Sequence, residues 1–79
     1  MTGRPETVEE YHSDGSLWAR GVLANGEMHG YWEWFRREGT IMRTGHFDHG
    51  EQTGEWTTYD ANGVVVKVTR VRVAGEKPR

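Results

Sequence analysis

The side chains best suited to chemistry are four histidines, His12, His29, His46 and His49, and two glutamates, Glu27 and Glu51, that lie 24 residues apart. The run His46-Phe47-Asp48-His49 offers imidazole and carboxylate, ligand types that suit zinc or nickel. A working site needs three or four such ligands converging, each steadied by a further hydrogen bond. None of the histidines has another histidine 24 positions away, so they do not belong to whatever pattern repeats here. No metal and no cofactor is therefore expected. Acid–base catalysis requires two carboxylates, or a histidine and a base, converging in a pocket. Glu27 and Glu51 both directly follow an X-Gly turn signal, where solvated polar residues are the default. No glycine-rich phosphate loop opens a helix, no serine elbow is present, and no triad spacing occurs. Cysteine is absent, which removes thiolate metal sites, disulfides and cysteine nucleophiles together. The chain is not expected to be an enzyme.

The elements that would position these groups form a repeat. Residues 21–35 align without a gap on residues 45–59: Gly21/Gly45, Leu23/Phe47, Gly26/Gly50, Glu27/Glu51, Gly30/Gly54, Trp32/Trp56 and Phe35/Tyr59. The same 24-residue offset relates Tyr11, Gly15 and Leu17 to Phe35, Gly39 and Ile41, and then to Tyr59, Gly63 and Val65. A fixed period of this length marks one supersecondary unit stacked on copies of itself. Short β-branched and aromatic runs cut by glycine turns predict antiparallel hairpins, with strands near 7–11, 16–23, 31–36, 40–47, 55–59 and 64–73. Asp14-Gly15, Glu38-Gly39 and Asn62-Gly63 form one set of tight turns. Asn25-Gly26 and His49-Gly50 begin a second set, whose loops are expected to run on to Gly30 and Gly54. No segment has helical spacing.

Gly21 and Gly45 fall inside strands, where glycine costs about 0.5–1 kcal/mol against alanine. A cost repeated at one register position calls for compensation. The candidates are Trp32 and Trp56, whose rings are expected to lie over the bare backbone of the preceding strand. Simple alternation puts Leu17, Gly21 and Leu23 on one face beside Ile41, Gly45 and Phe47, and then Val65, Thr69 and Val71. The pattern fades at the C-terminus: Thr69 replaces the strand glycine, Ala74 stands where a turn glycine is due, and no third tryptophan of this register appears. The last strand is expected to cap the sheet, its Lys67, Arg70 and Arg72 deterring further pairing.

These residues resemble the MORN repeat, and more closely its bacterial variant. The first unit runs from Tyr11-His-Ser-Asp-Gly15-Ser-Leu17 to Asn25-Gly26-Glu-Met-His-Gly30-Tyr-Trp32. The second runs from Phe35-Arg-Arg-Glu-Gly39-Thr-Ile41 to His49-Gly50-Glu-Gln-Thr-Gly54-Glu-Trp56, and Tyr59-Asp-Ala-Asn-Gly63-Val-Val65 opens an incomplete third. One departure is His49, where the pattern has Asn or Asp. The resemblance, which covers about residues 11–71, implies an all-β, single-layer antiparallel meander of β-hairpin repeats with about six strands. The residues themselves place this domain over 8–73, with a flexible lead-in at 1–7, which holds Gly3 and Pro5 and no periodic apolar pattern, and a polar tail at 74–79. The resemblance also implies an antitoxin-like protein of bacterial origin, whose partner is another protein, a cognate toxin.

At 79 residues and a net charge of −2 the chain has room for one domain, which buries only about 60% of its unfolded surface. The sequence shows no signal-peptide pattern and no 18-residue apolar run, so a cytoplasmic location is expected. Trp32, Trp56, Phe35 and Tyr59 obey the repeat and are accounted for by structure. Trp18, Tyr31 and Trp34 do not: their counterparts are Met42, Glu55 and Thr58. Rings that the scaffold does not demand are the candidates for partner contact, together with Arg36, Arg37 and Met42, because Trp, Tyr and Arg dominate interface hot spots. Trp18, Met42 and Val66 also share one register position and predict an apolar row suited to a partner or to a homo-oligomer. The basic end, Lys67 to Arg79, raises anionic lipid or nucleic acid as an alternative, but five cations without clustered stacking rings do not favour nucleic acid or membrane.

Overall fold

The computed structural model describes residues 5–71. Six strands, β1 (Glu6–Tyr11), β2 (Leu17–Ala24), β3 (Glu27–Phe35), β4 (Ile41–Asp48), β5 (Glu51–Tyr59) and β6 (Val65–Val71), form one antiparallel sheet in chain order. The result is a plate of 38 × 37 × 14 Å, one layer thick, as the repeat predicts. The expected lead-in through residue 4 and everything after Val71, including Ala74 and the polar tail, lie outside the described residues.

Two kinds of turn alternate, each fixed by local chemistry. At one end, the amide of His12, Arg36 or Asp60 donates to the carbonyl four residues on, and the glycine amide at 15, 39 or 63 donates back to the turn's first residue. Those glycines have φ of 92°, 100° and 83°, so the tight return depends on them. Asp14 accepts bonds from the amide and hydroxyl of Ser16, and Asp60 accepts from the amides of Asn62 and Val64, which pins the loop from within.

At the other end the loops are shorter than the sequence suggested. Ala24 pairs directly with Glu27 and Asp48 with Glu51, leaving two-residue turns in which both residues have positive φ: Asn25 54° and Gly26 81°, His49 49° and Gly50 89°. These are type I′ turns, whose twist matches that of the flanking strands. Gly30 and Gly54 are not loop residues. They lie within β3 and β5 at φ 75° and 73°, beside register shifts that fall between Arg20 and Val22 and between Thr44 and His46. A positive-φ glycine serves a bulge as well as a turn, and spacing alone cannot separate the two.

The bulge explains the strand glycines. Across it, one residue of the earlier strand, Gly21, faces three of the later one, residues 30–32, and the bend lays Trp32 over Gly21. A Cβ added at Gly21 would lie 2.5 Å from Cγ of Trp32 and closer still to Cδ2 and Cε2. Trp56 covers Gly45 in the same way. Trp32 and Trp56 are 2% and 4% exposed, and with Ala19 they make up the buried apolar core of the described residues. Each buried ring contributes at most about 4–6 kcal/mol by area. Their indole N–H groups donate to the carbonyls of Val22 and Thr53, so neither is left unsatisfied.

A second set of register shifts corrects the face assignment made from simple alternation. Tyr11 pairs with Leu17, Phe35 with Ile41 and Tyr59 with Val65, so Trp18, Met42 and Val66 are the extra residues of three bulges. Cross-strand partners share a face. Leu17 therefore lies on the side of Tyr11, whose hydroxyl bonds Glu9, and not beside Gly21.

Candidate binding surfaces

One face carries a continuous ring cluster. Trp34 stacks between Trp32 and Trp56, with centroids 6.1 and 5.4 Å away and interplanar angles of 29° and 27°. Phe47 meets all three edge-on at 6.2, 6.1 and 5.2 Å. The guanidinium of Arg43 covers Trp56 at 5.0 Å, a cation–π contact that closes this end of the stack. Trp34 was singled out by the sequence because it breaks the repeat. It is half-buried and contributes to the same stack as the rings that obey it.

The opposite face is polar with isolated rings. Arg20 forms an ion pair with Glu33 at 2.8 Å and lies over the ring of Phe35 at 5.5 Å. Tyr31 stands beside them, 50% exposed, with its ring 5.4 Å from that of His46 and its hydroxyl bonded to Glu33. Its phenol pKa is raised, first by partial burial and then by the Glu33 charge. On β6, Arg70 bonds Glu55 at 2.8 Å.

Trp18, 38% exposed, sits at the first bulge, where it meets His12 edge-on at 6.3 Å. Met42 occupies the same register position one repeat on, and Val66, 60% exposed, the next. Arg37, in the adjoining turn, reaches Asp14 at 3.5 Å. Arg36 has a different job. Its guanidinium donates to the carbonyls of Ile41, at 2.9 Å, and Tyr59, and so ties its turn to the next repeat. His12, its equivalent 24 residues earlier, bonds the carbonyl of Phe35 in the same way at 3.0 Å. The structure thus brings Trp18, Arg37 and Met42 to one end of the sheet with Arg36 as a brace between turns. Tyr31 stands further along, and Trp34 belongs to the other face.

The histidines do not gather as written in the sequence. His46 faces Tyr31, and His29 takes its place beside Asp48 and His49. His29 lies on β3 just past the preceding turn. Only the register of β3 against the β4–β5 turn reveals that proximity, which is why a linear motif missed it.

Stacked hairpins with a 24-residue period, paired turn glycines and a tryptophan over each strand glycine define the repeat unit, and residues 52–69 match the family model described as MORN repeat variant. Residues 52–69 therefore carry a MORN-variant repeat. No curated protein and no solved structure matches the chain. The matched MORN segment spans β5, the third Gly-containing turn and most of β6, and the preceding unit superposes on it by register: Trp32 pairs with Gly45 as Trp56 pairs with Thr69. A repeat of this kind suggests a binding or structural module.

Proposed function

We propose that this chain is a non-enzymatic protein-binding module, an antitoxin- or immunity-type factor that occludes a partner protein by surface contact. The observation that carries this reading is the pair of large rings, Trp18 and Tyr31, that the repeat does not require and the sheet leaves 38% and 50% exposed. A partly exposed indole at the same end of the sheet as Arg37 and Met42 supplies the apolar anchor and the charged rim that hot spots combine. Capture from the native host with the wild-type chain, Trp18→Ala and Tyr31→Ala tests it. Each substitution is expected to weaken capture at least tenfold while the melting temperature stays put, and undiminished capture by both would overturn the site assignment.

A second reading, self-assembly edge to edge, is favoured by the charges at the two ends of the sheet. Edge strand β1 carries Glu6, Glu9 and Glu10, and edge strand β6 carries Lys67 and Arg70. Such edges repel their own kind and attract each other. Register makes the pairing specific. The β4–β5 junction sets Arg43 opposite Thr58. Carried forward one repeat, Lys67 faces the residue equivalent to Thr58, which is Glu10 of a second copy. At the same junction Val8 takes the place of tryptophan, over Thr69 in place of glycine, so the larger ring is absent where the strand has a side chain. Sedimentation across a concentration series should show association that Glu10→Lys or Lys67→Glu abolishes and an equimolar mixture of the two restores. A strict monomer would eliminate this reading.

A further inference from the structure

We infer that His29, Asp48 and His49 form a surface site for a divalent first-row cation of the zinc or nickel type. Ligand atoms of the three residues lie within 4.8 Å of one another. The carboxylate Oδ1 of Asp48 is 2.7 Å from Nδ1 of His49 and 3.9 Å from Nδ1 of His29. Tetrahedral zinc with bonds of about 2.0–2.1 Å holds its ligand atoms about 3.3 Å apart. The two observed separations of 2.7 and 3.9 Å straddle that value, and the third pair lies no more than 4.8 Å apart; all three side chains are partly exposed, so rotamer adjustments of about half an ångström to an ångström or more can close the site without disturbing a core. The two imidazole rings already approach to 4.7 Å. The amide of His49 donates to Nδ1 of His29 at 3.2 Å, which requires that nitrogen to carry its lone pair, the form a metal takes. A cation would replace the amide as its partner. Three protein ligands leave the fourth position to water.

The repeat supplies an independent reason to single these residues out. His49 stands where the preceding unit has Asn25, Asp48 where it has Ala24, and His29 where the following unit has Thr53. Asn suits a type I′ turn better than histidine does, because the left-handed region is easier for it. The chain nonetheless places histidine there, at φ 49°. Three departures from the internal pattern that meet at one point are explained together by a bound ion, and turn chemistry explains none of them. The ion would link the start of β3 to the β4–β5 turn, stapling one repeat to the next.

The test is calorimetric titration of the untagged full chain with zinc chloride and, separately, nickel chloride. One ion per chain is expected. His29→Ala, Asp48→Asn and His49→Asn should each weaken binding about tenfold or more, while His12→Ala and His46→Ala leave it unchanged. His49→Asn restores the residue that the neighbouring unit uses, so its turn folds. The melting temperature of the wild type should rise with added zinc, and that of His49→Asn should not. Absence of binding to both ions, or equal binding by all five variants, would overturn the proposal.

Discussion

Gly21→Ala is the substitution in which the architecture makes its most unusual demand. Neither Gly21 nor Gly45 has a positive φ, so the backbone at both accepts an L side chain, and in an open strand the change to alanine would gain about 0.5–1 kcal/mol. Here the methyl group would sit 2.5 Å or less from three atoms of a ring that is 2% exposed. Relief requires moving either the indole, which is held by Trp34, Phe47 and its bond to Val22, or the β2 main chain. Overpacking of this kind costs about 1–3 kcal/mol, and two immobile neighbours place it at the upper end. The net expectation is a loss of about 2 kcal/mol, or about 8–16 °C in melting temperature for a domain of this size. Thr69 is the internal control. It occupies the same repeat position on edge strand β6, where among the described residues no later strand lays a ring over it, and Thr69→Ala should change stability by less than about 0.5 kcal/mol. Urea denaturation of the three proteins decides the matter. A neutral or stabilising Gly21→Ala would refute the reasoning.

Three further outcomes follow from named contacts. Arg36→Ala should cost about 1–3 kcal/mol by stripping donors from the carbonyls of Ile41 and Tyr59, whereas Arg37→Ala, which loses only the exposed pair with Asp14, should fall within about 1 kcal/mol of the wild type; thermal melts separate them. Asp14 is held down to about 2 by the hydroxyl and amide of Ser16, and its carboxylate therefore stabilises the fold above its ordinary value of 3.8, an effect lost as the pH falls toward 2. Asp14→Asn should flatten the acid limb of the stability profile between those values and leave the profile above it unchanged in slope. Trp34→Ala should destabilise by about 3 kcal/mol or more, because it empties the centre of the ring stack, while Trp18→Ala should leave the melting temperature within about 1 kcal/mol equivalent; calorimetric melts of both test the division between structural and exposed rings.

Much of the fold was legible because the repeat encodes its sheet redundantly. The turn glycines at 15, 39 and 63 and the Trp32/Gly21 and Trp56/Gly45 pairs can be read from offsets alone, since each answers a local steric need that recurs in register. What could not be read was where the ladder slips. Gly30 and Gly54 look like loop glycines, and no local signal separates a bulge from a turn, so β3 and β5 begin four residues earlier than alternation suggests. The same blindness put Leu17 on the wrong face and separated Trp34 from the stack it completes. For the candidate sites, residues that depart from the repeat were visible as departures. Their grouping was not, because His29 meets His49 only through a register that long-range pairing sets.

The fold stands on indoles seated directly over glycine backbone, and ring currents report that placement. In a proton NMR spectrum the α-protons of Gly21 and Gly45 should be displaced strongly upfield, with Gly21 returning to ordinary strand positions in Trp32→Val and Gly45 in Trp56→Val. Glycine α-protons at unshifted positions in the wild-type chain would contradict it.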